Sequence, residues 1–473
     1  MNRETADVAI IGGGITGAGL ARDCAMRGLS TILLEKSQPG RQTTASSSRL
    51  IHGGLRYLLY DRQTTLETSW DAGYILQIAA PLLTRLPILW PVYRGHAHGL
   101  AAVDSLLQSY DGFQRLKGGK PHLRLSAEEA LRLLPTLRKE GLSGALAFDE
   151  WQVDPVRLVE SNLSSAERHG ASIRRDCPVE SIEKTPGGGV LLKGPSVEVA
   201  ARLAVNAGGP WAGEIARLAG ARIPLILRRG THLVYERRLV PFGLILEAAD
   251  RRRYVFVLPG PDYTLVGPTD VEHSAGPGSC APSQEETSYL LATARRYFKD
   301  FPERFDRVVC GLRPIVGESG GKEHLLSRGF KLYGEAEQGG PEEFLTLAGG
   351  KMSDYRLMAE TAADAVTRKL GRKAPCRTAL ETLEGKEISA SPRFAALPKP
   401  SSLLRDHPRL RYAHSLTFLG ACLMRRTAAD AMRRLKYSRA EEFLDAYQLP
   451  ASFFATQLTA FSIVPPPRTK SPS

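Results

Sequence analysis

Cysteine is scarce: Cys24, Cys177, Cys280, Cys310, Cys376 and Cys422 are dispersed through 473 residues, and no two of them form a CxxC pair. That excludes a zinc ribbon and a small disulfide-stapled scaffold, and it fits a reducing cytoplasm. A long uninterrupted apolar run is also missing. The nearest approach, Tyr74 to Tyr93, is broken by Gln77, Pro81, Arg85, Pro87 and Pro91, whereas a bilayer span wants about 20 predominantly apolar residues. The first strand-like run begins by Asp7, which leaves no room before it for an export signal. No cluster interleaves aromatic with basic residues as an RNA surface would, so no nucleic-acid partner is expected.

What is present is a globular composition, 42% apolar and 24% charged, with 63 Lys and Arg against 50 Asp and Glu for a formal charge of +13. Disorder throughout is excluded. At roughly 150 residues per domain the length suggests about three units, although large α/β enzymes often interleave two. The positive balance favours anionic substrates or an anionic lipid surface, and serves solubility equally well.

Val8 to Ile11, a helical stretch to Gly28 and Thr31 to Leu34 read as strand, helix, strand. Ser126 with Glu129 predicts a capped helix, and Asp154 followed by Pro155 predicts a helix reaching about His169. The middle of the chain turns β-rich, with strands expected at Ile173 to Arg175, Val179 to Glu183, Val190 to Leu192 and Arg202 to Asn206. Further strands are expected at Leu225 to Leu227, His232 to Tyr235, Tyr254 to Leu258, Thr264 to Gly267 and Phe344 to Leu347, with helices near Gln284 to Phe298 and Asp354 to Leu370.

Gly12, Gly14 and Gly17 form GxGxxG between the first strand and its helix. Lacking Cβ atoms, these residues let a pyrophosphate approach the helix N-terminus, where N–H groups and the dipole hold its charge. Glu35 closes the second strand, where a carboxylate accepts hydrogen bonds from a ribose. The loop Lys36 to Ser48 is rich in hydroxyls, including Thr43, Ser47 and Ser48, and Ala207, Gly208 and Gly209 end a later strand. An extended cofactor passing two strand ends points to FAD.

The segments GGGITGAG (Gly12 to Gly19), SSRLIHGGLRYL (Ser47 to Leu58) and GGKMSDYRLMAE (Gly349 to Glu360) resemble the FAD-dependent glycerol-3-phosphate dehydrogenase family. So do DEWQVDPVRLV (Asp149 to Val159), VNAGGPW (Val205 to Trp211), GTH (Gly230 to His232), TDVEH (Thr269 to His273) and GLRP (Gly311 to Pro314). The resemblance covers most of residues 7 to 370 and implies a D-amino acid oxidase-like α/β fold. That fold is a Rossmann-like FAD-binding domain interleaved with an antiparallel-sheet substrate domain; here a short helical C-terminal appendage follows, shorter than is typical of the family. FAD-binding segments are expected at about 1–80, 150–220 and 340–371, substrate segments at about 81–149 and 221–339, and the appendage at 372–473.

The resemblance further implies oxidation of sn-glycerol 3-phosphate to dihydroxyacetone phosphate, with electrons passed from FAD to a quinone or, in the oxidase branch, to oxygen. A cytoplasmic position is expected, peripheral on the cytoplasmic face of the membrane if quinone is the acceptor. Substrate-side residues fall on Arg56, Tyr57, His232, Arg313, Arg328 and Lys351. Cofactor contacts fall on His52, Gly53, Gly54, Val179, Gly208, Gly350 and Lys351, besides the glycines, Glu35 and the loop hydroxyls. No metal is implied.

The chemistry asks for the same residue types. A phosphate monoester needs two or more cations, with Arg giving planar contacts and Lys a point charge. Oxidising a secondary alcohol needs a proton acceptor as well as the flavin, and histidine is the matched residue that titrates near working pH. His232 is therefore the candidate base, Arg313 the stabiliser of developing alkoxide charge, and His52 a flavin contact. Two departures bear on substrate. Pro268 stands where the family usually has Thr, and Ser353 and Asp354 stand where two Thr are common. Asp354 places a negative charge near the expected anion site, either capping the helix or tuning the enzyme to a less anionic substrate. The basic run Arg425, Arg426, Arg433, Arg434, Lys436 and Arg439 has helical spacing and suits either an anionic membrane surface or solvent. The rival readings are an amino acid or N-methyl amine oxidase of the same fold, an FAD-dependent RNA-modifying protein, and a non-catalytic flavin-binding paralogue.

Overall fold

The structure, a computed structural model, describes residues 3–251, 253–317, 329–389, 408–424 and 436–449. Arg328, Arg425, Arg426, Arg433 and Arg434 lie outside the described residues.

The strand Glu4–Ile11 is buried without alternation from Val8 to Ile11, as suits a strand covered on both faces. It pairs in parallel with Val197–Asn206 on one side and Thr31–Leu34 on the other. Phe344–Gly349 and Ser172–Arg174 extend the parallel sheet outward, and Phe330–Tyr333 closes one edge antiparallel. Helices Ile15–Met26, Pro155–Arg168 and Tyr355–Lys369 cover one face, where Leu20, Leu163 and Met358 pack on Val8, Ile10 and Leu33. On the other face Ile182, Val190, Leu192 and Ala216 cover Ala9, Ile11 and Ile32. Truncating one such fully buried leucine to alanine costs about 2–5 kcal/mol.

Caps act where the sequence places them. Asp154 Oδ1 accepts from the backbone N–H of Val156 and Arg157 at 2.9 and 3.1 Å, Ser126 Oγ accepts from Glu129 N at 3.1 Å, and Ser283 with Glu286 forms a reciprocal box. Each cap of this kind is worth roughly 1 kcal/mol.

The second sheet is mostly antiparallel. Its backbone is the full-length pair Leu83–Tyr93 with Leu142–Val153. The first of these strands was not expected, because Pro87 and Pro91 argue against a strand with neighbours on both sides. The structure tolerates both prolines because pairing on the second side is confined to Ile88 and Leu89, between them. Leu225–Tyr235 is one continuous strand, not the expected two, and Arg307–Val316 runs antiparallel along its whole length. Leu50–Ile51 pairs with Leu142–Val153 and so belongs to this second sheet, although it falls in the first expected FAD-binding segment, whereas Phe330–Tyr333 belongs to the first sheet.

After residue 371 the described chain returns to both sheets' territory. Helix Pro408–Met424 lies on helix Arg62–Ile78, where Ser415 Oγ accepts from Arg62 N at 2.8 Å and the Arg62 guanidinium stacks 4.2 Å over Phe418. Helix Ala440–Ala446 inserts Phe443 and Leu444 into the second sheet's core beside Phe242. Among the described residues no helix is long and apolar enough to cross a membrane, and no cluster of His, Cys, Asp or Glu is arranged to hold a metal.

Candidate active site

A cleft of about 550 Å³ runs from the Gly12 turn, past the loop of residues 36–48, to the strands that carry His232 and Arg313. Its size lies within the usual range for cofactor sites.

At the first end the walls are backbone. Gly12 has φ +109°, and a Cβ there would come within 2.7 Å of the Ala207 carbonyl oxygen. A Cβ on Gly17 would overlap the carbonyl oxygen of Gly12 itself. Gly14 at the N-cap of helix Ile15–Met26 offers no side-chain acceptor, and the first turn holds no acidic residue, which suits its positive end to an anion. Glu35 reaches back, accepting from Gly13 N at 2.6 Å and from Ser37 N at 2.9 Å. Lys36 Nζ lies 3.3 Å from the centre of the Trp211 ring. Such a cradle fits an FAD pyrophosphate and ribose, and in this chain Gly12, Gly14, Glu35, Val179 and Gly208 line it. Gly17 does not line the cleft; it allows the close helix-to-turn approach that shapes it.

The loop that follows is braced against the second sheet. Thr43 Oγ1 donates to Leu312 O at 2.7 Å, Thr44 Oγ1 accepts from Ile15 N at 3.3 Å, and Ser47 Oγ accepts from Arg49 N at 3.2 Å. Thr43, Ser47 and Ser48 all line the cleft.

At the second end the walls are side chains. His232 is 2% exposed, and its Nε2 lies 3.0 Å from Ser48 Oγ. Burial, then Arg313 and Arg49, push the His232 imidazole down to about 3. His52 is likewise pushed down to about 3 by burial, then by Lys351 and Lys117. Both rings are therefore neutral at working pH, and each leaves a buried Nδ1 with no hydrogen-bond partner among the described residues. Buried orphan nitrogens at the wall of a cleft are what a ligand supplies partners for.

Arg313 lies opposite Arg228 across the paired strands. It donates from Nη1 to Thr269 O at 3.2 Å and sits 3.7 Å from Asp270 Oδ1. Asp270 is shared with Arg228 at 2.5 Å and Arg253 at 3.0 Å. Gly230, which the sequence marks only as part of GTH, makes the room: a Cβ there would meet the Arg313 guanidinium carbon at 2.7 Å. That explains why a glycine interrupts the apolar pattern without ending the strand.

Lys351 Nζ pairs with Asp354 Oδ2 at 2.9 Å and lies 5.2 Å over the Tyr57 ring. Burial opposes its charge, but Asp354, Tyr57 and Asp61 outweigh burial, and the ammonium is held above its usual range. Asp354 also accepts from Lys351 N at 2.7 Å. Asp354 makes no side-chain cap to the helix Tyr355–Lys369, against the capping role read from the sequence; its carboxylate instead ties the turn before that helix and pairs with the Lys351 ammonium.

The cleft brings together Tyr57, His52, His232, Arg313, Gly350 and Lys351. It does not include Arg56, which is exposed on the turn Leu55–Leu59. Here the structure departs from the expected substrate contact, because a 3₁₀ turn directs successive side chains about a third of a circle apart. Gly53 and Gly54 do not line the cleft either. Gly54, with φ +76°, lets Tyr57 pack within 2.6 Å of where its Cβ would be, and a Cβ on Gly53 would be 2.5 Å from Ser69 Oγ. The sequence reading missed Arg49, which lines the cleft with φ +59° and its guanidinium 4.5 Å from the Tyr263 ring centre. Its signal was present, since Arg49 lies inside SSRLIHGGLRYL.

Residues 7–351 match the sequence model of the FAD dependent oxidoreductase family. The chain is 30% identical to an aerobic glycerol-3-phosphate dehydrogenase of Staphylococcus haemolyticus over 83% of its own length and 73% of the relative's. A corresponding enzyme of Staphylococcus aureus is 29% identical over 84% of this chain and 74% of its own. Among solved structures, a glycerol-3-phosphate dehydrogenase from Bacillus halodurans complexed with FAD superposes with a TM-score of 0.63 at 24% identity, over 97% of this chain and 83% of that one. An FAD-bound L-alpha-glycerophosphate oxidase from Mycoplasma pneumoniae gives 0.61 at 18%, over 79% and 96%. The chain belongs to the FAD-dependent oxidoreductases, within the glycerol-3-phosphate dehydrogenase family, and FAD is its cofactor.

Proposed function

We propose that the protein oxidises sn-glycerol 3-phosphate to dihydroxyacetone phosphate and passes the electrons to a quinone. The observation that carries this reading is the convergence of Arg313, Lys351 and Arg49 with a neutral His232 at one end of the cleft. FAD bound in the cleft supplies the acceptor for the hydride leaving C2 of the alcohol.

Arg313 and Lys351 hold the phosphate, Arg313 by planar paired hydrogen bonds and Lys351 as a charge partly offset by Asp354. Arg313 also stands near enough to His232 to depress its basicity, which supports the reading that its charge stabilises the alcohol oxygen as it turns negative. His232, neutral before substrate binds, takes the hydroxyl proton. An anionic substrate beside it raises the ring from its depressed value, because a nearby negative charge favours the imidazolium. Arg328 completes the proposed substrate set from outside the described residues. Quinone reduction fits a peripheral position on the cytoplasmic face of the membrane, and helix Pro408–Met424 exposes Tyr412 and Leu416, one turn apart on the same face, toward it.

An amino acid or N-methyl amine oxidase is the second reading, favoured by Asp354, which lowers the net charge of the site. Anaerobic titration of the FAD-loaded protein separates the two. Bleaching of the oxidised flavin by glycerol 3-phosphate, and not by glycerol, glycine or N-methyl amines, is expected; bleaching by an amine alone overturns the proposal.

A further inference from the structure

Cys280 and Cys310 are 30 residues apart and share no motif, yet the fold brings their sulfurs to 2.9 Å. Both are free thiols, and both are partly exposed. A disulfide bond needs a separation of roughly 2.05 Å, so bonding requires less than about 1 Å of movement.

Independent anchors hold each partner. Cys310 stands in the strand Arg307–Val316, opposite Thr231, and the next residue, Gly311, lines the cleft. Cys280 follows the turn Pro277–Ser279. That turn is tied by His273 Nε2 to Gly276 O at 2.8 Å and by Ser279 Oγ to Ala275 O at 2.8 Å. On its other side Ser283 caps the helix Gln284–Tyr297, whose Glu286 pairs with Arg229 at 2.8 Å. The juxtaposition is therefore fixed by strand pairing on one side and a capped helix on the other.

We propose that Cys280 and Cys310 form a two-electron thiol–disulfide site beside the cleft, oxidised by hydroperoxide. Hydrogen peroxide is the oxidant that a reduced flavin yields when it meets dioxygen, so an oxidant of this class arises next to the pair.

Burial, then the hydrogen bond with Cys310, pushes the Cys280 thiol up to about 12. Cys310, on the strand whose next residue lines the cleft, is the attacking sulfur. Cys310, having lost its proton to solvent, attacks one peroxide oxygen. An S–O bond forms, the O–O bond breaks, and the departing hydroxide takes a proton to become water. The Cys280 sulfur then attacks the sulfenic sulfur of Cys310. The S–S bond forms, the S–O bond breaks, and the second hydroxide leaves with the Cys280 proton as water. Two thiols have lost two electrons and one peroxide has become two waters.

The test uses the full-length, FAD-loaded protein treated with one equivalent of hydrogen peroxide. It is then denatured, alkylated and digested without reductant. Thiol titration is expected to fall from six to four. Mass spectrometry is expected to show a peptide linked through Cys280 and Cys310, restored to two free thiols by dithiothreitol. In Cys280→Ser the expected product is sulfenic or sulfinic acid on Cys310, and in Cys310→Ser an unmodified Cys280. A count that stays at six, a linkage between any other cysteines, or wild-type protein carrying sulfinic acid on Cys310 with Cys280 free would overturn the proposal. The wild-type digest decides it even if a variant folds poorly.

Discussion

The two ends of the cleft are made of different material. At the Gly12 end the walls are mostly main chain: a left-handed glycine, a helix terminus opened by glycine and one carboxylate turned back on the loop. At the His232 end they are side chains delivered by the loop after Ser48, the strand Leu225–Tyr235, the strand Arg307–Val316 and the turn at Lys351. The first kind of site tolerates almost no added atom, because nothing in its wall can rotate away. The second depends on charges that neighbouring carboxylates share out, so it can be tuned one residue at a time.

Gly12→Val attacks the rigid end and carries the largest expected effect. The new side chain meets both an unfavourable φ and the Ala207 carbonyl, and flavin per protein is expected to fall at least about tenfold. Full flavin content in the purified variant would erase the contrast between the two ends. Arg313→Ala acts at the other end. Losing paired charge-assisted contacts worth roughly 3–4 kcal/mol should lower kcat/KM for glycerol 3-phosphate about 10²- to 10³-fold with flavin retained. His232→Gln should lower kcat by about 10²-fold or more at neutral pH; a change smaller than threefold removes the base. Asp354→Asn keeps an oxygen for the Lys351 N–H but removes the carboxylate charge that pairs with the ammonium. KM for glycerol 3-phosphate is then expected to drop about two- to fivefold, and an unchanged or raised KM would mean that Lys351 does not meet the phosphate.

The smallest effect is on stability. His52 and His232 each have a folded value near 3 against an ordinary 6.5. The unfolded chain thus binds protons that the folded one refuses. Their share of stability is intact above pH 6.5 and is lost as pH falls from 6.5 toward 3. Melting temperature followed across that window should fall less steeply in His232→Gln than in the wild-type protein, and parallel curves would contradict the buried neutral ring.

Legibility in the sequence follows the same division. Strand Glu4–Ile11, its helix and Glu35 were readable because turn, phosphate cradle and acid lie within one local unit. Asp154 and Ser283 marked helix starts for the same reason. The strand Leu83–Tyr93 was not readable, since its prolines are admissible only given which neighbour pairs where. Nor did spacing alone show that Gly230 clears space for Arg313, or that Asp270 divides its charge among three arginines. Those are contacts between distant parts of the chain. The family resemblance reached His232, Arg313 and Lys351 beforehand but neither of those contacts, and it carried Arg56 along, which the fold leaves exposed.

The most direct measurement of the proposed phosphate grip is the ratio of kcat/KM for glycerol 3-phosphate to that for glycerol, taken in the wild-type protein and in Arg313→Ala. The expected wild-type ratio exceeds about 10³ and drops by at least about tenfold in the variant. A wild-type protein that oxidises both alcohols equally well, or a ratio that Arg313→Ala leaves unchanged, would contradict it.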